Sequence, residues 1–159
     1  MPTTTEPTTR TSASITDPNE FLTMSVEELD QLFRNSPAGD IPTGEGKGLA
    51  IIAPGTSVSD EIAWFVNVFT WKGKVFDPAS GTLRNKILPL GHKAIAAKVY
   101  KDTSWFDGKE SIVLDYSHTS FLAQAIRDEI RLVAPGIYLG IVYWGKTKLI
   151  HFALQFPAR

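Results

Sequence analysis

Cysteine is absent from this 159-residue chain, which excludes disulfide bonds, thiolate metal sites and a cysteine nucleophile. Net charge is nearly absent too: 16 Lys and Arg against 17 Asp and Glu leave −1. Without a basic surplus there is no general electrostatic grip on nucleic acid or on an acidic membrane, so neither is expected as a partner. No apolar run approaches the ~20 residues that a spanning helix needs. The first residues lack a basic stretch followed by an apolar one, so no secretory signal is expected. Together with the missing cysteines this reads as a cytoplasmic protein.

Motifs for catalysis and cofactors are scarce as well. There is no Gly-x-Ser-x-Gly elbow of the kind that presents a nucleophilic serine. His92, His118 and His151 fall on three separate elements without His-x-His or His-x-x-x-His spacing, so neither a metal nor a cofactor is expected. The glycine-rich run 39–48 contains Lys47, but Gly48 and an apolar run follow it. A phosphate-binding Walker loop requires Ser or Thr and a helix there. The run reads instead as the entry to a first strand, with glycines permitting close backbone approach at a barrel end.

What the chain does have is regular punctuation. Residues 1–20 are rich in Thr, Ser and Pro with little to bury, and read as a disordered polar tail; residues 21–159 form one domain, large enough for a core. Ser25 with Glu28 makes a capping box, and Val26, Leu29, Leu32 and Phe33 recur at helical spacing, which predicts a helix ending near Asn35. Ile62, Phe65, Val66 and Phe69 predict a second helix over 59–70. Turn signals follow about every ten residues, at 77–81, 89–92, 107–108, 134–136 and 145–146. The strands between them are expected at 48–53, 72–77, 82–88, 94–101, 110–117, 128–133, 137–144 and 148–156. Such spacing is that of an antiparallel meander. Closing it into a barrel of seven or eight strands removes exposed edges; an open curved sheet is the alternative.

Trp71-x-Gly73-Lys74-x-Phe76, with Pro89-Leu90 downstream and the order of helix, glycine-rich entry and strands, resembles small bacterial calycin-like barrels of the Gly-x-Trp-x-Gly type. The resemblance implies a lipocalin-like antiparallel barrel with two or three short helices. It brings no reaction and no catalytic residues.

Strand alternation decides which side chains face inward. Ile150, Phe152, Leu154 and Phe156 share one face of the last strand, and Leu149, His151, Ala153 and Gln155 the other. In the strand before it, Ile137, Leu139, Ile141 and Tyr143 oppose Tyr138, Gly140, Val142 and Trp144. Neither face is polar, which suits a barrel covered outside by helices. An apolar interior with a few polar groups is also the usual lining of a ligand site. The expected function is therefore binding of a small apolar or amphipathic molecule in the lumen, with Trp71, Tyr100, Arg131, Tyr138, Tyr143 and His151 as candidate contacts. The alternative is an isomerase or cyclase acting on a flexible apolar substrate, with Tyr116, His118 and Glu129 for acid–base work. A third reading is an interaction module whose aromatic residues meet a partner or a second copy in a homodimer.

One boundary governs the charges at 127–131. If a helix begun at 119 runs on to 133, Arg127 and Arg131 stand four apart on a solvated face. If a strand has begun, Arg127, Glu129 and Arg131 share one side and Asp128 takes the other.

Overall fold

The computed structural model describes residues 15–52, 59–60, 62–63, 74–85, 95–117 and 125–157. Its first element precedes the expected tail boundary at residue 20. Asp17 caps a short 3-10 helix, Pro18–Thr23, and Glu20 returns the bond in a capping box. Both Ile15 and Phe21 are buried. The Asp17–Glu20 pair carries the signature that the polar composition of 1–20 hides. Helix α1 follows at Val26–Arg34, with Ser25 and Glu28 forming the predicted box. Of the helix expected at 59–70, only Asp60, Ile62 and Ala63 lie among the described helical residues.

Eight strands follow: β1 (Gly44–Ile51), β2 (Lys74–Asp77), β3 (Thr82–Asn85), β4 (Ile95–Thr103), β5 (Glu110–Asp115), β6 (Ile126–Ala134), β7 (Ile137–Trp144) and β8 (Thr147–Gln155). Each pairs antiparallel with the next, and β1 also pairs with β8, so the meander closes into a barrel. The protein is thus mainly β, and its architecture is consistent with a calycin-like barrel. Two differences from expectation matter for the site. Strand β1 begins at Gly44, inside the glycine-rich run rather than after it. Strand β6 begins at Ile126, two residues before the expected 128, which resolves the open choice at 127–131 in favour of strand. Pairing with β5 and β7 on both sides accounts for that choice: residues 127–130 are flanked by ladder partners on each side, and long-range pairing overrides local helical periodicity.

Two-residue connections join β6 to β7 and β7 to β8. Gly136 (φ 71°) and Gly145 (φ 60°) supply the left-handed backbone these turns require. A register shift in β6 between Leu132 and Ala134 leaves Leu132 N–H to donate to the carbonyls of Pro37 and Ala38. That contact ties the segment after α1 to the barrel wall.

The core lies on both sides of the wall. Inside, Phe76, Val99, Ile112, Leu114, Ile130, Val142, Phe152 and Leu154 form one buried cluster with Tyr116, Tyr138 and Phe156. Outside, Leu139, Ile141 and Ala153 pack with Ile15, Phe21, Met24, Leu29, Leu32 and Phe33. The N-terminal segment is therefore a strap over the outer face, and it explains why neither side of β7 or β8 is polar.

Candidate functional site

The register assigns each charge of 127–131 to a side of the wall. Glu129 pairs across to Ile141, a member of the outer cluster, so Arg127, Glu129 and Arg131 face outward. Asp128 pairs with Leu114 and Val142, both in the inner cluster, and is fully buried facing the interior.

Arg131 is fully buried beneath the strap. Its Nη1 and Nη2 donate to Asp107 Oδ2 and Oδ1, both at 2.6 Å, a bidentate pair. Nη1 also donates to the Phe33 carbonyl at 2.9 Å and Nε to the Glu110 carbonyl at 3.1 Å. The guanidinium lies 4.3 Å from the centre of the Phe33 ring. One side chain thus joins three elements: the negative end of α1, the β4–β5 turn and β6. Glu129, also fully buried, accepts from Trp105 N–H (2.9 Å), Ser111 Oγ (3.2 Å) and Arg127 Nε and Nη2 (each 3.4 Å). Arg127 in turn stacks 4.2 Å over the Trp105 ring. These bonds occupy Glu129 in holding the 104–110 turn.

The two bonds from Arg131 are the main cause that holds the Asp107 carboxyl below its ordinary 3.8, against the opposing effect of burial. A carboxyl whose folded pKa is lowered contributes stability above the unfolded value and loses it as pH falls through the folded one. Unfolding free energy should therefore drop below about pH 4. Asp107→Asn should flatten that acid limb in urea titrations run across pH, whereas an unchanged acid slope would show that Asp107 is not its source.

Asp30 of α1 makes a second link to the barrel. Lys148 Nζ donates to both its oxygens at 2.6 and 2.7 Å, and His151 Nε2 stands 2.7 Å from Oδ1. Burial works against the charge on Asp30, but the bonds from His151 and Lys148 outweigh it and lower its pKa. Tyr143, nearby on the same outer face, has its hydroxyl pKa raised by burial and by the charge of Glu129. Tyr100 donates to Asp115 Oδ2 at 2.9 Å, and burial, then that bond, raises its pKa.

The residues singled out from the sequence thus separate. Arg131, Tyr143 and His151 gather on the outer face with Glu129, while Tyr100 stands farther along the same side. Tyr116 and Tyr138 belong to the inner cluster. Tyr116 and Glu129 lie on opposite sides of the wall, so one substrate does not meet both. Trp71 and His118 lie outside the described residues. Among the described residues, no group of three or more His, Asp or Glu is placed to hold a metal ion.

Among the described residues, a concave feature lies at the mouth where β1 starts and β8 ends. A half-open cavity of about 630 Å³ is lined by Asp40–Glu45, Pro135, Gly136, Tyr138, Phe156 and Pro157. Beside it is a second, of about 580 Å³, lined by Glu45, Lys47, Gln155, Phe156 and Pro157. Tyr138 and Phe156 form an aromatic floor, their rings edge to face at 5.7 Å, with Phe76 against Phe156 at 5.5 Å. Tyr138 Oη donates to the Asp40 carbonyl at 2.6 Å, pinning the 40–45 segment. Burial, then the charge of Asp40, raises the Tyr138 pKa. Sequence reasoning singled out Tyr138 and placed Phe156 on one face with Ile150, Phe152 and Leu154, without deciding which face was inward. It missed Asp40–Pro42 and Lys47 as cavity wall, although the glycine-rich entry was the available signal.

A closed antiparallel barrel with a helical strap and a cavity at one mouth is the class of protein these features define. No family model and no curated protein matches the chain. A crystal structure of a protein from Thermomonospora curvata is similar in fold, with a TM-score of 0.61 at 14% identity over 87% of this chain and 92% of that one. At that identity the likeness speaks to the fold alone.

Proposed function

We propose that the protein binds a small apolar or amphipathic molecule at the barrel mouth, over the floor made by Tyr138 and Phe156. The observation that carries this reading is the 630 Å³ cavity, lined by Ile41, Pro42, Pro135, Pro157, Tyr138 and Phe156 together with the polar Asp40, Thr43 and Glu45. Its size falls within the range of about 300–1,000 Å³ usual for small-molecule sites, and an apolar wall with few polar groups is their usual lining. The fixed Tyr138–Asp40 bond keeps the pocket preformed, which lowers the entropic cost of binding. The wall that separates Tyr116 from Glu129 favours binding over acid–base catalysis by that pair.

Native mass spectrometry of protein from its source cells should show a co-purified small molecule. Thr43 lines the same cavity and is exposed, so Thr43→Arg should fold normally while placing bulk and charge over the apolar floor. Its affinity for the neutral fluorophore N-phenyl-1-naphthylamine should fall by about tenfold or more, equal to ~1.4 kcal/mol. Equal fluorescence titrations for both proteins, with no co-purified compound, would refute the reading.

A further inference from the structure

The larger mouth cavity is short of groups that could hold an anion. Pro42, Pro135 and Pro157 line it and have no N–H to give. Phe156 N–H is spent on the Gly136 carbonyl at 2.8 Å, and the Tyr138 hydroxyl on the Asp40 carbonyl at 2.6 Å. Among the described residues that line the cavity none is Lys, Arg or His, whereas Asp40 and Glu45 are both acidic. Lys47 stands two residues beyond Glu45 on the same outward face of β1 and borders the neighbouring cavity, so it offsets Glu45 there. Asp40 precedes β1 and lies outside that balance. Its charge reaches the aromatic floor: after burial, it is what raises the pKa of the Tyr138 hydroxyl.

We infer that this cavity takes a cationic amphiphile, with an ammonium head between the Asp40 carboxylate and the Tyr138 ring and its chain over Phe156. This inference rests on the binding function proposed above and names the charge of the ligand. An ammonium is drawn to an aromatic ring as well as to a carboxylate, and here the two stand side by side. A carboxylate or phosphate head would meet Asp40 with few donors to hold it. An uncharged head would bind by its chain alone. Because Tyr138 bonds the backbone carbonyl of Asp40, the side chain can lose its charge without releasing the 40–45 segment. Asp40 is also exposed, so Asp40→Asn should fold normally.

The test is displacement of N-phenyl-1-naphthylamine from the full-length chain by decyltrimethylammonium, decanol and decanoate, which present different heads on a straight apolar chain. Asp40→Asn should weaken decyltrimethylammonium relative to decanol by about three- to fivefold, the scale of an exposed ion pair. Decanoate should gain against decanol in the same variant. A second arm needs no variant: in the wild-type protein the ratio of ammonium to decanol affinity should fall as salt rises from about 20 to about 200 mM, because the attraction is screened. A variant with wild-type ratios, or a wild-type protein that takes decanoate ahead of the ammonium or shows no salt effect, would overturn the assignment of the head while leaving binding intact. A wild-type protein that binds neither the fluorophore nor decanol would overturn both.

Discussion

Replacing Arg131 with methionine should destabilise the protein by about 3–5 kcal/mol, the cost of breaking a buried ion pair from one side. The size follows from what is left behind. Asp107, with its side chain only 6% exposed, loses both partners of its bidentate pair, and the carbonyls of Phe33 and Glu110 each lose a charged donor. Methionine fills similar volume, so little of the loss comes from a cavity. Urea unfolding measures it directly. The Arg131→Met, Asp107→Leu double variant should recover part of the loss, because it removes the stranded carboxylate, and the resulting coupling separates the pair from simple packing. A loss below about 1 kcal/mol would place Arg131 with exposed ion pairs and undo the structural role assigned to it. Since Arg131 ties α1 and the β4–β5 turn to the wall, the loss should appear with an unchanged denaturant slope if the strap and barrel unfold together.

Gly140→Val is expected to cost at least ~1–3 kcal/mol, the range for overpacking a close-packed core. Glycine in the middle of a strand ordinarily weakens it, yet Gly140 sits in β7 directly opposite Phe152 of β8. The Phe152 ring fills the space beside it, and a Cβ at Gly140 would overlap ring carbons Cε1, Cζ and Cδ1. Neither the two backbones, paired in register, nor the ring, buried in the inner cluster, has room to yield. Valine at 140 should thus lower the urea midpoint sharply, and Phe152→Leu added to it should restore part of the loss. If the double variant is as unstable as the sum of the two single ones, the cross-strand fit is not the cause. The same device recurs at Gly46 and Phe156, where the ring borders the mouth instead of lying deep in the wall.

Several features could be read from residues alone because local chemistry decides them. Ser25 and Glu28 cap α1 by reach along the chain, and the glycines of the last two turns take a backbone conformation that other residues resist. Alternation places Tyr138, Gly140 and Val142 of β7 on one side and Leu139, Ile141 and Tyr143 on the other. The Arg127–Arg131 segment was legible only as a pair of alternatives. Its apolar spacing fits a helix, and only the ladders to β5 and β7 make it a strand. Nor did alternation reveal which side of the wall was the interior, because the strap makes the outer face as apolar as the inner one. For that reason Arg131, Tyr143 and His151 could be grouped as candidates without it being clear that they meet α1 and not a lumen.

What the sequence determined by itself is the kit: a cysteine-free residue set, a capped amphipathic helix, and strands punctuated about every ten residues into a meander. Those follow from propensity, spacing and composition, which act between residues near in the chain. Tertiary structure alone decided that β1 meets β8, that residues 15–36 strap the outside, and that 40–45 come beside 156–157 at the barrel mouth. These depend on contacts roughly a hundred residues apart in the chain, such as Arg131 to Phe33 and Tyr138 to Asp40. Their free energy comes from burial and exact pairing once the barrel closes, and no local pattern encodes it.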